Sequence, residues 1–312
     1  MSDYKDIQEL LQQKADLQAR LKLLPYDGTP EVKERDGKRY LYVRKRVSGK
    51  LTSEYVDVYS DTLYQLLLAN AREARALKKQ LRHIEKALAE QGYEQTALPA
   101  EVQRNLDFAR ANMKVSIYEQ AVLEGVATTF PQTEEIIDNG KIHGVTASDV
   151  QKILNLKHAW EFILDPDVLC YPSDYSILCH IAGLINEGFY ANGGRLRGVP
   201  VAIGGTSYVP PLPQEADVRE QLLAICADKM LSPIACAIRL CLYVMKAQLF
   251  NDGNKRAAIL FANHFLIAHA AGLLVVPEAE VSEFKRLLVL YYEDRDDGAL
   301  TVFMKERCWR LM

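Results

Sequence analysis

Apolar residues recur at helical spacing through most of the 312-residue chain. In residues 4–24, Ile7, Leu10, Leu11, Leu17, Leu21 and Leu24 share one helical face, and Pro25, Gly28 and Pro30 end the pattern. The period then drops towards two. Tyr40, Tyr42, Val47, Tyr55, Val56 and Val58 predict a β-hairpin turning at Ser48-Gly49-Lys50. Ser60 or Asp61 caps a long helix to about Glu90, whose apolar positions 74, 77, 81, 84 and 88 form a short coiled-coil seam. Residues 1–95 therefore predict two antiparallel helices with a small β-hairpin at the far end.

Gly92 to Pro99 is a linker, and from residue 100 the period stays helical. The predicted helices are 101–124, 128–138, 146–164, 174–189, 215–229, 231–249, 253–272, 278–293 and 296–308. One stretch interrupts them: GGRLRGVPVAIGGTSYVPPLP, residues 193–213, with a β-prone run from Val199 to Ile203. It predicts either an exposed hairpin suited to peptide capture by strand addition or an ordinary surface loop. The fold class is mainly α.

Hydrophobic content of 49% and charged content of 25% suit a soluble protein, and no apolar run reaches membrane length. The polar, helical N-terminus does not resemble a signal peptide. Six Cys without a CxxC pair read as buried thiols in a reducing cytoplasm, and six His show no metal-ligand spacing. The net charge of -3 gives no reason for the whole chain to bind nucleic acid. Residues 31–50 differ, with eight bases against three acids. A nucleic-acid or acidic-partner contact there is weighed against a solvated hairpin edge, and the edge is favoured.

Candidate chemistry gathers at Gln248-Leu249-Phe250-Asn251-Asp252-Gly253-Asn254-Lys255-Arg256, a polar loop between two apolar helices. A loop opening into a helix collects unpaired backbone N–H groups at the positive end of the helix dipole, which makes an anion site. Lys255 and Arg256 add charge, and Asp252 can hold a divalent ion on bound phosphates or simply cap the helix.

These residues resemble the Fic (Fido) family. The family motif HxFx[D/E][G/A]N[G/K]R is matched here by QLFNDGNKR. The stretch 193–213 resembles the family's target-holding flap, with GxxR followed by IGG and a Tyr before two Pro, so Val199, Val201, Ile203, Gly204 and Gly205 become flap residues. Glu124-Gly125 resembles the family's inhibitory motif [ST]xxxE[GN] on a helix at 101–125. The resemblance spans residues 100–312 and implies an all-α bundle with a β-hairpin flap. It implies ATP and Mg²⁺ as cofactors and a protein target at the flap. The implied chemistry is AMP transfer to a protein hydroxyl, or phosphate transfer as in the Doc toxins, which share the NKR ending. Asp252 would hold Mg²⁺ through the phosphates, and Phe250 would anchor the loop. Gly253, Asn254, Lys255 and Arg256 would bind nucleotide, with Arg256 neutralising developing charge. Homo-oligomerisation stays open.

Two departures qualify the expectation. The family's general base, a His, is Gln248 here, and Gln has no nitrogen that titrates near neutrality. The second Arg found in many AMP-transferring members is Ile259, so Glu124 is expected to lack its usual partner, and the motif's Ser/Thr is Gln120. His264 and His269 are expected to lie too far along the next helix to replace the base. Three readings follow: a nucleotide-binding pseudoenzyme, which is favoured; an active variant in which Gln248 only positions the acceptor; and an engineered inactivating change. A docking protein working through the N-terminal arm and the flap is the alternative of another class.

Overall fold

The computed structural model describes residues 2–26, 28–47, 50–95, 97–139 and 144–312, with side chains from residue 7 onward except Val47 and Asn139. The chain divides into two units, residues 1–94 and 95–312.

In the first unit, α1 (Ser2–Leu23) packs against α2 (Asp61–Glu90). Ser60 caps α2 by accepting a hydrogen bond from the Leu63 N–H. The seam is buried at Ala74, Leu77, Leu81 and Leu88 and half-buried at Ile84. Between the helices lies a three-stranded antiparallel meander of β1 (Thr29–Arg35), β2 (Lys38–Val47) and β3 (Lys50–Val58). The expected hairpin is its β2–β3 half, paired from Tyr40–Val58 to Val47–Lys50. The Ser48-Gly49 part of the expected turn lies outside the described residues. One sheet face packs Leu41 and Val43 against Leu67, with Tyr26, Val56, Tyr59, Leu63 and Tyr64 around them.

The second unit contains α3 (Ala100–Leu123), α4 (Phe130–Asn139), α5 (Ala147–Ile163), α6 (Pro166–Leu169), α7 (Tyr175–Ile185), α8 (Glu215–Ala227), α9 (Pro233–Ala247), α10 (Asn254–Ala268), α11 (Val281–Tyr292) and α12 (Ala299–Phe303). Helix α10 is apolar almost all round, which makes it the central helix, packed by α3, α5, α7 and α9. A two-residue pair, β4 (Leu273–Leu274) with β5 (Trp309–Arg310), lies beyond its end. No helix among the described residues is long and apolar enough to cross a membrane. The six Cys are free, but only Cys236, Cys241 and Cys308 are buried; Cys170 and Cys226 are exposed, contrary to the expectation for all six.

Residues 193–213 form no strand ladder. The segment turns at Gly204–Gly205 and holds Val199 exposed, with Val201 and Ile203 half-buried. Pro200, Pro210, Pro211 and Pro213 remove N–H donors that a hairpin would use. The carbonyls of Val199, Pro210 and Pro211 point to the Arg197 guanidinium instead of across to an opposite strand.

His264 stands in the middle of α10, fully buried. Its Nε2–H donates to the Val168 carbonyl at 3.1 Å, so Nδ1 accepts from the Ser173 hydroxyl at 2.7 Å. Burial pushes its pKa down from 6.5 to about 4, so the ring is neutral and structural. Between pH 6.5 and 4 the unfolded chain binds the proton that the fold refuses. His264 therefore adds stability above pH 6.5 that is lost as pH falls to about 4, on the order of 3 kcal/mol at most. In urea titrations, the stability gap between wild type and His264→Asn should narrow as pH drops from 7 to 4.5. A constant gap would disprove the assignment.

Candidate functional site

The loop between α9 and α10 is organised by its own side chains. Gln248 ends α9 in the left-handed region, at φ 45° and ψ 60°. Its Nε2 donates back to the Met245 carbonyl at 2.6 Å, and its Oε1 accepts from Asn254 Nδ2 at 3.1 Å. Asn254 also donates to the Phe250 carbonyl at 2.8 Å and accepts from the Phe250 N–H at 2.9 Å. The side chain expected to reach a phosphate thus spends its amide closing the loop. Phe250 is fully buried, as its anchoring role requires.

Gly253, rather than Asp252, occupies the cap position of α10, at φ 73°. A Cβ there would stand 2.6 Å from Ile185 Cγ2, so both backbone conformation and space call for glycine. Asp252 is half-exposed, and its Oδ2 lies 3.3 Å from Arg256 Nη2. Arg256 is only 2% exposed. Its Nε and Nη1 are buried without a hydrogen-bond partner. Lys255 is partly exposed beside it.

Glu124 reaches this cluster from the end of α3. Its Oε1 lies 3.5 Å from Lys255 Nζ, and its Oε2 lies 3.7 Å from Arg256 Nε. Its usual partner is absent, as expected, and the loop's own Lys255 and Arg256 supply the charge instead. Ile259, at the position of the family's second arginine, is 2% exposed in the core. Gly125, at φ 81°, ends α3, so Glu124 is also the last residue before the helix stop. Gln120, at the motif's Ser/Thr position, holds α3 against α10 by donating to the Arg256 carbonyl at 2.9 Å and accepting from Trp160 Nε1 at 3.2 Å.

Asn186 escaped the sequence reading, and Arg197 entered it only as the last residue of the GxxR pattern, with no role assigned. Arg197 is 2% exposed and donates to four carbonyls: Gln248 at 2.6 Å, Val199 at 2.9 Å, Pro210 at 3.1 Å and Pro211 at 2.6 Å. Its backbone N–H donates to Leu249 O at 2.9 Å. Asn186 links Gly193 to Asp252 by donating to both carbonyls, at 3.2 and 3.1 Å. These two side chains tie the ends of the 193–213 segment to the loop. The signal for Arg197 was the GxxR pattern from Gly194 to Arg197. Farther along, Thr206 donates to Glu293 at 2.9 Å and Tyr208 stacks on Tyr292 at 6.4 Å, fixing the segment to α11. Val199, Val201, Ile203, Gly204 and Gly205 thus lie on a segment anchored at both ends.

A cavity of about 410 Å³ opens behind the segment, lined by Tyr208, Leu212, Tyr243, Lys246, Leu249 and Tyr291 among others. Asp252, Gly253 and Arg256 do not line it. Among the described residues, no three His, Cys, Asp or Glu side chains come together as metal ligands.

Residues 172–266 match the family model described as Fic/DOC family, and residues 4–65 match one described as a domain of unknown function (DUF6788). No curated protein matches the chain. Among solved structures, a Fic family protein from Desulfovibrio desulfuricans G20 is 18% identical with a TM-score of 0.53, covering 68% of this chain and 73% of its own. A Fic domain containing signaling protein from Bacteroides thetaiotaomicron is 17% identical with a TM-score of 0.50, covering 62% of this chain and 75% of its own. The shared fold is mainly helical.

Replacing Arg197 with Ala strands buried carbonyls on both sides of the segment. Stability should fall by roughly 2–4 kcal/mol, and limited proteolysis should open the chain within residues 198–209. Lys at this position cannot reach four acceptors and should rescue only in part. An unchanged melting temperature with no new cleavage would count against the clamp.

Proposed function

Given that this chain carries a Fic/DOC family domain at residues 172–266, we propose that it is a nucleotide-binding protein of the adenylyltransferase type whose transfer step is weak or altered. The family match suggests a nucleotidyl-transfer activity in coarse terms. The finer reading rests on the state of Gln248. Both polar ends of its side chain are engaged inside the loop, with the Met245 carbonyl and with Asn254. The group at the base position is thus a structural link, and it carries no lone pair that can take a proton near neutrality. Tyr292 is no substitute: burial first, then nearby charge, raises its pKa far above neutrality.

The binding half of the proposal is supported by Arg256. Two buried guanidinium nitrogens without hydrogen-bond partners, at a helix start, are suited to a phosphate oxygen. Asp252, half-exposed, would hold Mg²⁺ together with the phosphates, and the ion would neutralise their charge. Glu124 occupies the same cations. An incoming phosphate and the Glu124 carboxylate then compete for Arg256, so α3 restrains binding. A protein target would dock along the anchored segment around Val199, which is 57% exposed.

Calorimetric titration with ATP–Mg²⁺ tests the first half. Binding should appear in wild type, tighten about tenfold in Glu124→Gln, and disappear in Arg256→Ala. Incubation with ATP labelled at the α or γ phosphate tests the second. Wild type should label a target poorly, and Gln248→His should raise labelling by about 10²-fold or more. No heat in wild type, or binding indifferent to Arg256, sinks the nucleotide reading. Strong labelling by wild type that Gln248→Ala abolishes would favour an active enzyme instead.

A further inference from the structure

The first unit carries a surface that the loop chemistry does not use. One face of the β1–β3 sheet packs Leu41 and Val43 inward. Strand alternation turns Tyr40, Tyr42, Arg44 and Arg46 to the opposite face. Tyr55 of β3 pairs with Tyr42 across the ladder, its ring 5.5 Å away edge-on and 6.3 Å from Tyr40. Lys33 of β1 sits over the Tyr42 ring at 4.3 Å. Tyr55 remains 49% exposed, as are Leu51 at 60% and Val58 at 53% on the same strand. Three tyrosines grouped on an open sheet face, interleaved with cations, are an unusual way to leave aromatic area in water.

On its other face, towards α2, the same strand borders a basic cavity. About 420 Å³ in volume, it is lined by Arg44, Lys45 and Arg46 of β2 and by Arg75 and Lys78 of α2. Its remaining lining, Gly28, Thr29, Ala71 and Ala74, contains no carboxylate. Glu54 pairs with Lys45 at 2.9 Å, and Glu31 lies 3.6 Å from Lys33. Like charges gathered in a concavity focus a positive potential that attracts an anionic chain.

We infer that the β1–β3 sheet binds single-stranded nucleic acid, with Tyr40, Tyr42 and Tyr55 stacking bases and Lys33, Arg44 and Arg46 of the same face contacting backbone phosphates. The two features together select this partner. Every base offers a flat face to an aromatic ring, and cations track the phosphates whatever the sequence. An acidic protein would use the cations and leave the ring cluster without a purpose. A duplex buries its bases and would do the same. The solvated edge favoured on sequence grounds treated only the charges; the tyrosines sharing their face change the balance. This inference is independent of the nucleotide reading, because no residue is shared.

Fluorescence anisotropy with the full chain and labelled 20-nucleotide oligo(dT) and oligo(U) is the test. Three phosphate contacts predict about 20-fold weaker binding between 50 and 200 mM salt. Tyr55→Ala should weaken binding about fivefold or more, while Tyr55→Phe should bind like wild type. The pair Arg44→Glu with Arg46→Glu should abolish binding. Tyr55, Arg44 and Arg46 are exposed, so these variants should keep the wild-type circular dichroism and melting temperature. Absence of binding at 50 mM salt overturns the proposal. So does full binding by the Tyr42→Ala, Tyr55→Ala double variant, or equal affinity for a 20-base-pair duplex or for poly-glutamate.

Discussion

Burying one guanidinium constrains much of the second unit. Arg256 is 2% exposed, and an uncompensated buried charge costs several kcal/mol. Its compensation arrives from two separate elements, Asp252 in the loop and Glu124 at the end of α3. That requirement fixes where α3 must stop. Gly125 ends the helix at the point that brings Glu124 over the loop, and Gln120, one turn earlier, holds the carbonyl of Arg256 itself. The compensation is electrostatic and incomplete: 3.7 Å from Nε to Glu124 is an ion pair without a hydrogen bond. A buried cation with charge partners and unspent donors is stable enough to fold and still disposed to exchange its carboxylate for a better oxyanion.

Much of this was legible in the sequence, and the limits have physical causes. The long helices follow from apolar period. Strand β1, TPEVKER, was missed because it is half charged and leaves both faces partly wet, so it shows no alternation. The β4–β5 pair is two residues long and has no period to read. The loop's place at the start of a helix was legible, but the roles of two of its residues were not. Gln248 and Asn254 look from the sequence like groups offered to a ligand. In the fold they bond to each other and to the loop backbone. That Lys255 and Arg256 take the place of Glu124's usual partner was not legible, because sequence spacing cannot tell which face of α10 meets a helix more than a hundred residues earlier.

The segment at 193–213 shows how hydrogen-bond inventory overrides propensity. Val199 to Ile203 has β-prone side chains, yet prolines withhold donors and Arg197 captures the carbonyls. A single arginine bonding to four carbonyls does the work of a ladder, with one difference. A ladder distributes cohesion over many residues, whereas this segment depends on one side chain that also holds Gln248. The segment and the base position are therefore mechanically one unit.

The closed ring of bonds made by Asn254 has a further consequence. It accepts from the Phe250 N–H and donates to the Phe250 carbonyl, so the loop holds its shape by itself. The entropy of ordering these residues is lost once, when the chain folds, and not again at each encounter with a ligand. On the proposed nucleotide reading, a phosphate group arriving there would meet a loop whose shape is already set, and its interaction energy would go into contact rather than into ordering the loop.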